Sequence, residues 1–186
     1  MTILIKNMVC NRCIAAVEKV FDDFEIETLS IDLGEVETKN ELNKIEIQQL
    51  NERLEIIGFQ ILEDSSKKLI EKIKKHIILK INELDIPEDF ILSKFLSEKL
   101  HKEYSAISKI FSQNGNVTLE QYFILQKIEK VKELLLYDEF SLTEISGKLG
   151  YKSVQHLSSQ FRNVTGFSPS EFKKLKQKNR ISLDKI

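Results

Sequence analysis

Apolar side chains recur every three or four residues along much of the chain, and this spacing places them on one face of a helix. It predicts helices at 14–21, 45–54, 70–84 and 119–136. Other short stretches are apolar or alternating runs of strand length, at 2–5, 27–32 and 59–62, with a weaker strand around Val36. The pattern therefore predicts an α+β chain, with the order βαββαβ in its N-terminal third and helices in the remainder.

Polar caps and glycines divide residues 141–173 into three short helices. A capping box at Ser141 begins the first helix, and Gly150 supplies the positive φ that commonly follows a helix end. Ser153 is the expected N-cap of the second helix, and residues 168–171 join another capping box to a proline at the first helical position. Short helices separated by tight turns in this way predict a helix-turn-helix.

The second of these helices has an apolar side and a polar side. Leu157, Phe161 and Val164 are expected to face inward. The outward positions carry hydrogen-bonding or charged groups that suit a DNA groove: Gln155, His156, Ser158, Ser159 and Arg162.

This stretch resembles the second DNA-binding motif of the AraC/XylS family of bacterial regulators. The matching positions are Ile145, Ser146, Leu149, Gly150, Tyr151, Ser153, Phe161, Gly166, Ser168, Pro169, Phe172 and Lys173. A generic helical bundle would not require so many glycine, proline, cap and aromatic positions at fixed offsets. The resemblance implies an all-α domain with two helix-turn-helix units that binds double-stranded promoter DNA and regulates transcription, with RNA polymerase as a candidate partner.

An earlier stretch repeats the pattern at an offset of 50, so the chain carries two such units. The matching pairs are Ile107 and Leu157, Ser108 and Ser158, Phe111 and Phe161, Asn116 and Gly166, Thr118 and Ser168, and Tyr122 and Phe172. The first turn is one residue shorter, His101 stands at the glycine position, and Glu103 would repel phosphate. We expect the first unit to be the weaker DNA reader.

The helix predicted between the units would act as a spacer. Its length of about 27 Å approaches the roughly 34 Å between successive major-groove segments on one side of B-DNA. One chain could therefore place two recognition helices in neighbouring segments, which is what the resemblance to the AraC/XylS family also implies.

Candidate base contacts follow from the exposed positions of the two recognition helices. They are Gln155, His156 and Ser159 in the second unit, and Ser105, Ala106 and Lys109 in the first. Glutamine can bridge adenine N6 and N7, and small side chains such as Ala106 and Val154 can contact a thymine methyl group. Arg162, Lys173 and Lys174 are expected to contact phosphates, which adds affinity without sequence information.

Charge is distributed unevenly although the net charge is only −1. Residues 1–64 hold 6 basic and 14 acidic side chains, whereas residues 141–186 hold 9 basic and 3 acidic ones. A basic C-terminal third agrees with phosphate contacts there. The chain shows no long apolar run and no leader-like start, so a cytoplasmic protein without membrane contact is expected. No enzyme is expected, because no paired carboxylates, no Ser/His/Asp arrangement and no phosphate-cradling glycine loop stand out.

Cys10 and Cys13 form a C-x-x-C pair between the first predicted strand and helix. A helix N-terminus and the neighbouring Arg12 are expected to lower the thiol pKa values and so favour thiolates. Together with Met8 and the βαββαβ order, the pair resembles the heavy-metal-associated domain, a ferredoxin-like fold that carries M-x-C-x-x-C in its first loop. The resemblance implies a soft-metal site at Cys10 and Cys13, for Cu(I) or, with further ligands, Zn²⁺. A redox switch and a vestigial metal domain remain open alternatives.

These patterns predict four segments. A heavy-metal-associated-like domain covers 1–64, a linker helix covers 65–85, a double helix-turn-helix domain covers 86–178, and a tail covers 179–186. On the linker helix, Ile70, Ile77 and Leu84 repeat every seven residues, so this helix could pair two chains or pack against its own domains. The sequence thus predicts a sequence-specific DNA-binding regulator tuned by metal or redox state. The alternative is a metal chaperone or buffer whose C-terminal helices bind a protein partner.

Overall fold

Residues 1–62, 64–175 and 180–186 are described by a computed structural model. They divide into two units, Met1–Lys75 and His76–Ile186. The predicted domain end at 178 and the start of the predicted tail at 179 lie outside the described residues. Along the described residues, no helix combines the length and the apolar character that a membrane crossing requires.

The N-terminal unit is built on a small antiparallel sheet. Its elements follow in the order β1 (Thr2–Lys6), α1 (Asn11–Asp23), β2 (Thr28–Asp32), β3 (Glu35–Thr38), α2 (Lys44–Ile56) and β4 (Gln60–Ile61). The strands lie side by side as β2-β3-β1-β4, and each neighbouring pair is antiparallel. The chain is therefore a mixed α+β protein, as predicted, although β4 is shorter than the stretch at 59–62.

Both helices of this unit bury their apolar sides. Val17, Phe21 and Leu50 join strand residues such as Ile5 and Val36 in one hydrophobic core. α2 begins with a capping box in which the Asn43 side chain accepts hydrogen bonds from the backbone N–H groups of the first turn. The next helix, α3 (Ser65–Asn82), runs across the boundary between the units.

The apolar stripe of α3 is largely covered within a single chain. Ile73, Ile77 and Ile81 are buried, while Ile70 and Leu84 are half-buried. Burying these side chains stabilises the fold of one chain, so most of the apolar surface that could have paired two chains is already used.

Within the described part of the C-terminal unit, six α-helices follow α3. They are α4 (Leu92–Leu100), α5 (Tyr104–Asn114), α6 (Leu119–Tyr137), α7 (Leu142–Lys148), α8 (Val154–Thr165) and α9 (Pro169–Lys174). A 3₁₀ turn covers Leu183–Lys185. α6 is the centre of this unit: α5, α7, α8 and α9 all pack against it.

The middle of α6 also buries charge. Glu129 and Lys132 form an ion pair with both side chains almost inaccessible to solvent. The C-terminal segment supplies further donors to Glu129, because the backbone N–H of Ile181 donates to its carboxylate at 3.2 Å and Arg180 lies beside it. Since an unpaired buried carboxylate is costly, these contacts hold the C-terminal segment against α6.

Candidate nucleic-acid interface

The second helix-turn-helix unit consists of α7, a tight turn and α8. The turn residue Gly150 has φ +65°, and the segment before α4 passes very close to it. A Cβ atom at this position would lie 2.7 Å from the Ile86 side chain and 2.8 Å from the Pro87 carbonyl oxygen. The backbone N–H of Ile86 donates to the Lys148 carbonyl at 3.0 Å, which fixes this approach. Glycine is therefore required here both by conformation and by space.

The first turn of α8 is capped by a side chain. The Ser153 hydroxyl accepts a hydrogen bond from the backbone N–H of His156 at 3.1 Å, as the sequence predicts. Leu157 and Phe161 are buried against the rest of the unit. Val164, which is predicted to face inward, is 38% exposed, because it lies in the last turn of α8 beyond the packed part of that helix.

The predicted contact residues of α8 form a single accessible surface. Gln155, His156, Ser159 and Arg162 are exposed, and Val154 is half-buried at the start of the helix. This surface starts at a helix N-terminus, where backbone N–H groups and the helix dipole favour a phosphate. It combines hydrogen-bonding groups with one guanidinium, as a reader of a DNA groove requires.

Tyr151, in the turn before α8, connects this surface to α6. Its hydroxyl donates to Gln160 Oε1 at 2.9 Å, and its ring meets the His156 ring edge-on with centroids 5.4 Å apart. On the other side, Lys127 Nζ of α6 lies 3.7 Å from the centre of the Tyr151 ring and 5.6 Å from that of Phe123. Burial lowers the pKa of Lys127 to about 8 and raises the pKa of Tyr151.

The third helix of this unit, α9, bears two of the predicted phosphate contacts. Its start is a capping box at Ser168, and Phe172 packs edge-on against Phe161 at 5.5 Å between ring centroids. Lys174 is exposed, whereas Lys173 forms an ion pair with Asp138. Lys173 would therefore have to exchange its carboxylate partner for a phosphate, which reduces the net gain from such a contact.

The first helix-turn-helix unit consists of α4 and α5. It buries the equivalent positions of its second helix but differs from the second unit in the residues of its turn. Ile107 and Phe111 of α5 are buried, and the candidate contacts Ser105, Ala106 and Lys109 are exposed. The turn residue His101 adopts positive φ, at +51°, without being glycine. The turn therefore lies where the sequence repeat places it, with a histidine in the left-handed conformation that glycine adopts in the second unit.

Negative charge surrounds the start of α5. Glu103 is its N-cap residue, and the Glu103 side chain makes no capping hydrogen bond. Nearby, the Tyr104 hydroxyl donates to the Glu120 carboxylate, which lowers the pKa of Glu120 and keeps it charged. The carboxylates of Glu103 and Glu120 near the start of α5 would oppose the approach of a phosphate there.

The C-x-x-C pair lies at the start of α1. Cys10 is the N-cap residue and is exposed, Cys13 is half-buried, and their Sγ atoms are 3.5 Å apart. The expectation of a lowered thiol pKa is wrong for Cys13: burial is the largest effect and raises its pKa. Met8 is buried in the core of the N-terminal unit and does not face solvent. Among the described residues, no group of three or more His, Cys, Asp or Glu side chains is arranged to hold a metal ion.

Several contributors to this interface are not marked by the sequence pattern. Lys127 and Gln160 hold Tyr151 from two sides, and Asp138 pairs with Lys173 across 35 residues of chain. The lysine at 127 lies among the apolar positions of α6, where a buried cation is uncommon. Such a lysine is the one signal in the sequence that could have drawn attention to this cluster.

Comparison with known proteins supports the assignment of the helical region. Residues 96–175 match the model of a helix-turn-helix domain family. The Msm operon regulatory protein of Streptococcus mutans is 31% identical over 84 residues, which cover 45% of this chain and 30% of that protein. The transcriptional regulator YdeC of Bacillus subtilis is 27% identical over 152 residues, covering 75% of this chain and 49% of that one. The chain thus spans about half or less of the length of these relatives.

A solved structure also matches. The C-terminal domain of the two-component response regulator yesN from Fusobacterium nucleatum is 28% identical, with a TM-score of 0.48 over 60% of this chain and 100% of that chain.

Proposed function

We propose that residues 96–175, which match a helix-turn-helix domain family, form a domain of the AraC/XylS type, and that this chain is a sequence-specific DNA-binding regulator of transcription. The observation that carries the proposal is the exposed surface of α8, which bears hydrogen-bonding groups and Arg162, starts at a side-chain-capped helix N-terminus, and lies opposite the buried side chains of Leu157 and Phe161. The names of the relatives, which are regulatory proteins, support the same function.

In this proposal, α8 is the principal reader. Gln155, His156 and Ser159 contact base edges, Val154 contacts a methyl group, and Arg162 and Lys174 contact phosphates. α5 enters the neighbouring groove segment with Ser105, Ala106 and Lys109. α6, about 28 Å long, sets the separation between the two helices.

Selection from a pool of random duplexes tests the proposal directly. The expected result is a preferred site that spans two successive major-groove segments. Affinity for that site should fall steeply as salt rises from about 50 to about 200 mM, and it should exceed the affinity for random duplex by about a thousandfold or more. Equal affinity for all duplexes would contradict the proposal and favour a metal-handling protein that binds a protein partner.

Gln155→Ala probes the reading surface more sharply. A lost bidentate contact should weaken binding to the selected site by about tenfold or more and leave binding to random duplex unchanged. Gln49→Ala, an exposed glutamine on α2, is a control that should have no effect. A uniform loss on both kinds of DNA would remove Gln155 from the list of base contacts.

We also propose that soft-metal or redox state at Cys10 and Cys13 tunes DNA affinity, with the N-terminal unit as a heavy-metal-associated-like, ferredoxin-like domain. The strand order β2-β3-β1-β4 supports this assignment. So does the 3.5 Å between the two Sγ atoms, because it is shorter than twice the metal–sulfur bond length of about 2.3 Å, so that one ion can bond both thiolates.

The cysteine proposal has a clean variant, because the chain contains only two cysteines. Cys10→Ser/Cys13→Ser should keep the fold and lose any change of site affinity on adding Cu(I), Zn²⁺ or a thiol oxidant. If the double variant responds like the wild type, the proposal is wrong. The same experiment separates metal from redox control, since only an oxidant should act in the presence of a metal chelator.

Contacts with RNA polymerase and pairing of two chains on DNA complete the proposal. The near-complete burial of Ile73 and Ile77 within one chain argues that any dimer uses a surface other than the α3 stripe. Sedimentation with and without the selected duplex would establish the stoichiometry.

A further inference from the structure

Lys127 is a buried cation for which helix packing alone gives no reason. It is only 7% exposed, and among the described residues it takes part in no ion pair. Burying an ammonium group without a carboxylate partner lowers stability relative to an apolar side chain of the same length. Features that cost stability tend to persist where function needs them.

The ammonium group of Lys127 lies closest to the Tyr151 ring. Its Nζ atom lies 3.7 Å from the centre of the Tyr151 ring, with the Phe123 ring on the same helix at 5.6 Å. An ammonium this close to an aromatic face, and out of water, is attracted to the ring quadrupole. Tyr151 is thereby held against α6, although it belongs to the turn that leads into α8.

Tyr151 in turn contacts α8, which bears the proposed base-contacting residues. Its hydroxyl donates a hydrogen bond to Gln160 and its ring lies nearly perpendicular to the His156 ring, so two residues of α8 contact one tyrosine. The first unit has no residue equivalent to Tyr151. Its turn runs from the positive-φ residue His101 to the N-cap Glu103, whereas the turn of the second unit runs from Gly150 to Ser153 and is one residue longer. The extra residue in the second turn makes room for Tyr151.

We propose that Lys127 and Tyr151 are positioning residues for specific DNA recognition: the ammonium of Lys127 fixes Tyr151, and Tyr151 fixes the orientation of α8 and of the His156 ring. This inference rests on the proposed DNA-binding function. It adds specificity-determining residues that do not themselves touch DNA.

Lys127→Met keeps the length of the side chain and removes the charge. Loss of the cation–aromatic contact should weaken binding to the selected site by about tenfold near pH 7, with random-duplex affinity unchanged. The melting temperature should stay the same or rise, because an apolar side chain is no longer penalised by burial. A purely structural lysine would lower stability and affinity together, and that result would overturn the proposal.

Two matched variants complete the test. Lys127→Arg keeps a cation that stacks on aromatic rings and should recover most of the site affinity. Lys130→Met removes a charge of the same sign from the same helix, where Lys130 pairs with Glu133, and should leave site affinity nearly unchanged. If Lys130→Met weakens binding as much as Lys127→Met does, the effect is one of overall charge and the proposal fails.

The pH profile gives a readout that packing alone does not produce. Tyr151 faces Lys127, and His156 of α8 contacts the Tyr151 ring; among the described residues, α5, α7 and α9 place no ion-pair partner against Lys127. Because burial lowers the pKa of Lys127 to about 8, site affinity should fall as pH rises through about 8. Lys127→Met should be flat there. Measuring both in the Cys10→Ser/Cys13→Ser background removes thiol titration, and a wild-type-like slope in Lys127→Met would overturn the proposal.

A measurement without DNA separates this inference from the proposed function. The chain has three histidines, so the ring resonances of His156 can be assigned with a His156→Gln variant. The Tyr151 ring should shift them, and Lys127→Met should move them toward the values of a histidine without an aromatic neighbour. If wild-type protein binds no duplex selectively but this change is seen, the positioning holds and the DNA-binding function fails. Unchanged resonances would refute the positioning itself.

Discussion

The two proposed recognition helices, α5 and α8, bury equivalent residues but differ at their first turns. Ile107 and Phe111 correspond to Leu157 and Phe161, and all four are buried. α8 starts with a serine cap behind a glycine turn and is held by Tyr151, whereas α5 starts at an uncapped glutamate behind a histidine turn. The buried residues are equivalent because both helices pack against α6, whereas the exposed residues of the first turns have no such constraint. The shared buried positions therefore define the repeat, whereas the residues of the first turns distinguish the two units.

The largest expected difference between the two units is in the effect of turn substitutions on the free energy of unfolding. Gly150→Ala should lower the free energy of unfolding by about 3 kcal/mol or more, because it combines positive φ with a Cβ atom 2.7 Å from Ile86. His101→Gly should instead raise it by up to about 1 kcal/mol, since a non-glycine residue with positive φ is relieved. Urea unfolding of both variants measures these effects, and equal changes would mean that the turns are equivalent.

The proposed base contacts of α8 and α5 should also differ in how much they contribute to the free energy of site-specific binding. Gln155→Ala should cost about 1–3 kcal/mol of site-specific binding, whereas Ser105→Ala should cost less than about 0.5 kcal/mol. Fluorescence anisotropy on the selected duplex provides the comparison. A larger loss from Ser105→Ala would reverse the assignment of the principal reader.

Substitutions at the N-cap residues of α8 and α5 test the difference between the two helices. Ser153→Ala removes the hydrogen bond to the His156 N–H and should cost about 1 kcal/mol of stability. Glu103→Ser supplies a cap to α5 and removes a negative charge, so it should raise DNA affinity a few-fold. The control Glu98→Ser, on the exposed side of α4, should change affinity less. If Glu103→Ser has no effect, the first unit does not approach phosphate.

The lysines of α9 provide the smallest expected effect. Lys174→Ala should weaken binding on all sequences by a few-fold and reduce the salt slope by about one. Lys173→Ala should do less, because Lys173 is engaged by Asp138, and Asp138→Asn should increase affinity by releasing it. The equivalent positions of the first unit are Phe123 and Ile124, so no such pair of charges exists there. Equal effects of the two alanine variants would show that the ion pair is not kept in solution.

The sequence was informative about this interface wherever local chemistry decides structure. The caps at Ser141, Ser153 and Ser168 begin helices as predicted, because a side-chain oxygen satisfies backbone N–H groups within the same turn. It was less informative about Val164 and the pKa of Cys13. Both depend on which surface other parts of the fold cover, and no local pattern reports that.

The sequence by itself determined the order of helices, the repeat with its shorter first turn, and the polar surface of α8, since these follow from residue spacing and from backbone hydrogen bonding between near neighbours. Only the tertiary structure decided that Gly150 faces Ile86, that Asp138 holds Lys173, and that Lys127 lies against Tyr151. Those contacts join residues that are 24 to 64 positions apart in the chain. Their energies depend on burial and on distances of a few ångströms, which packing sets and periodicity does not.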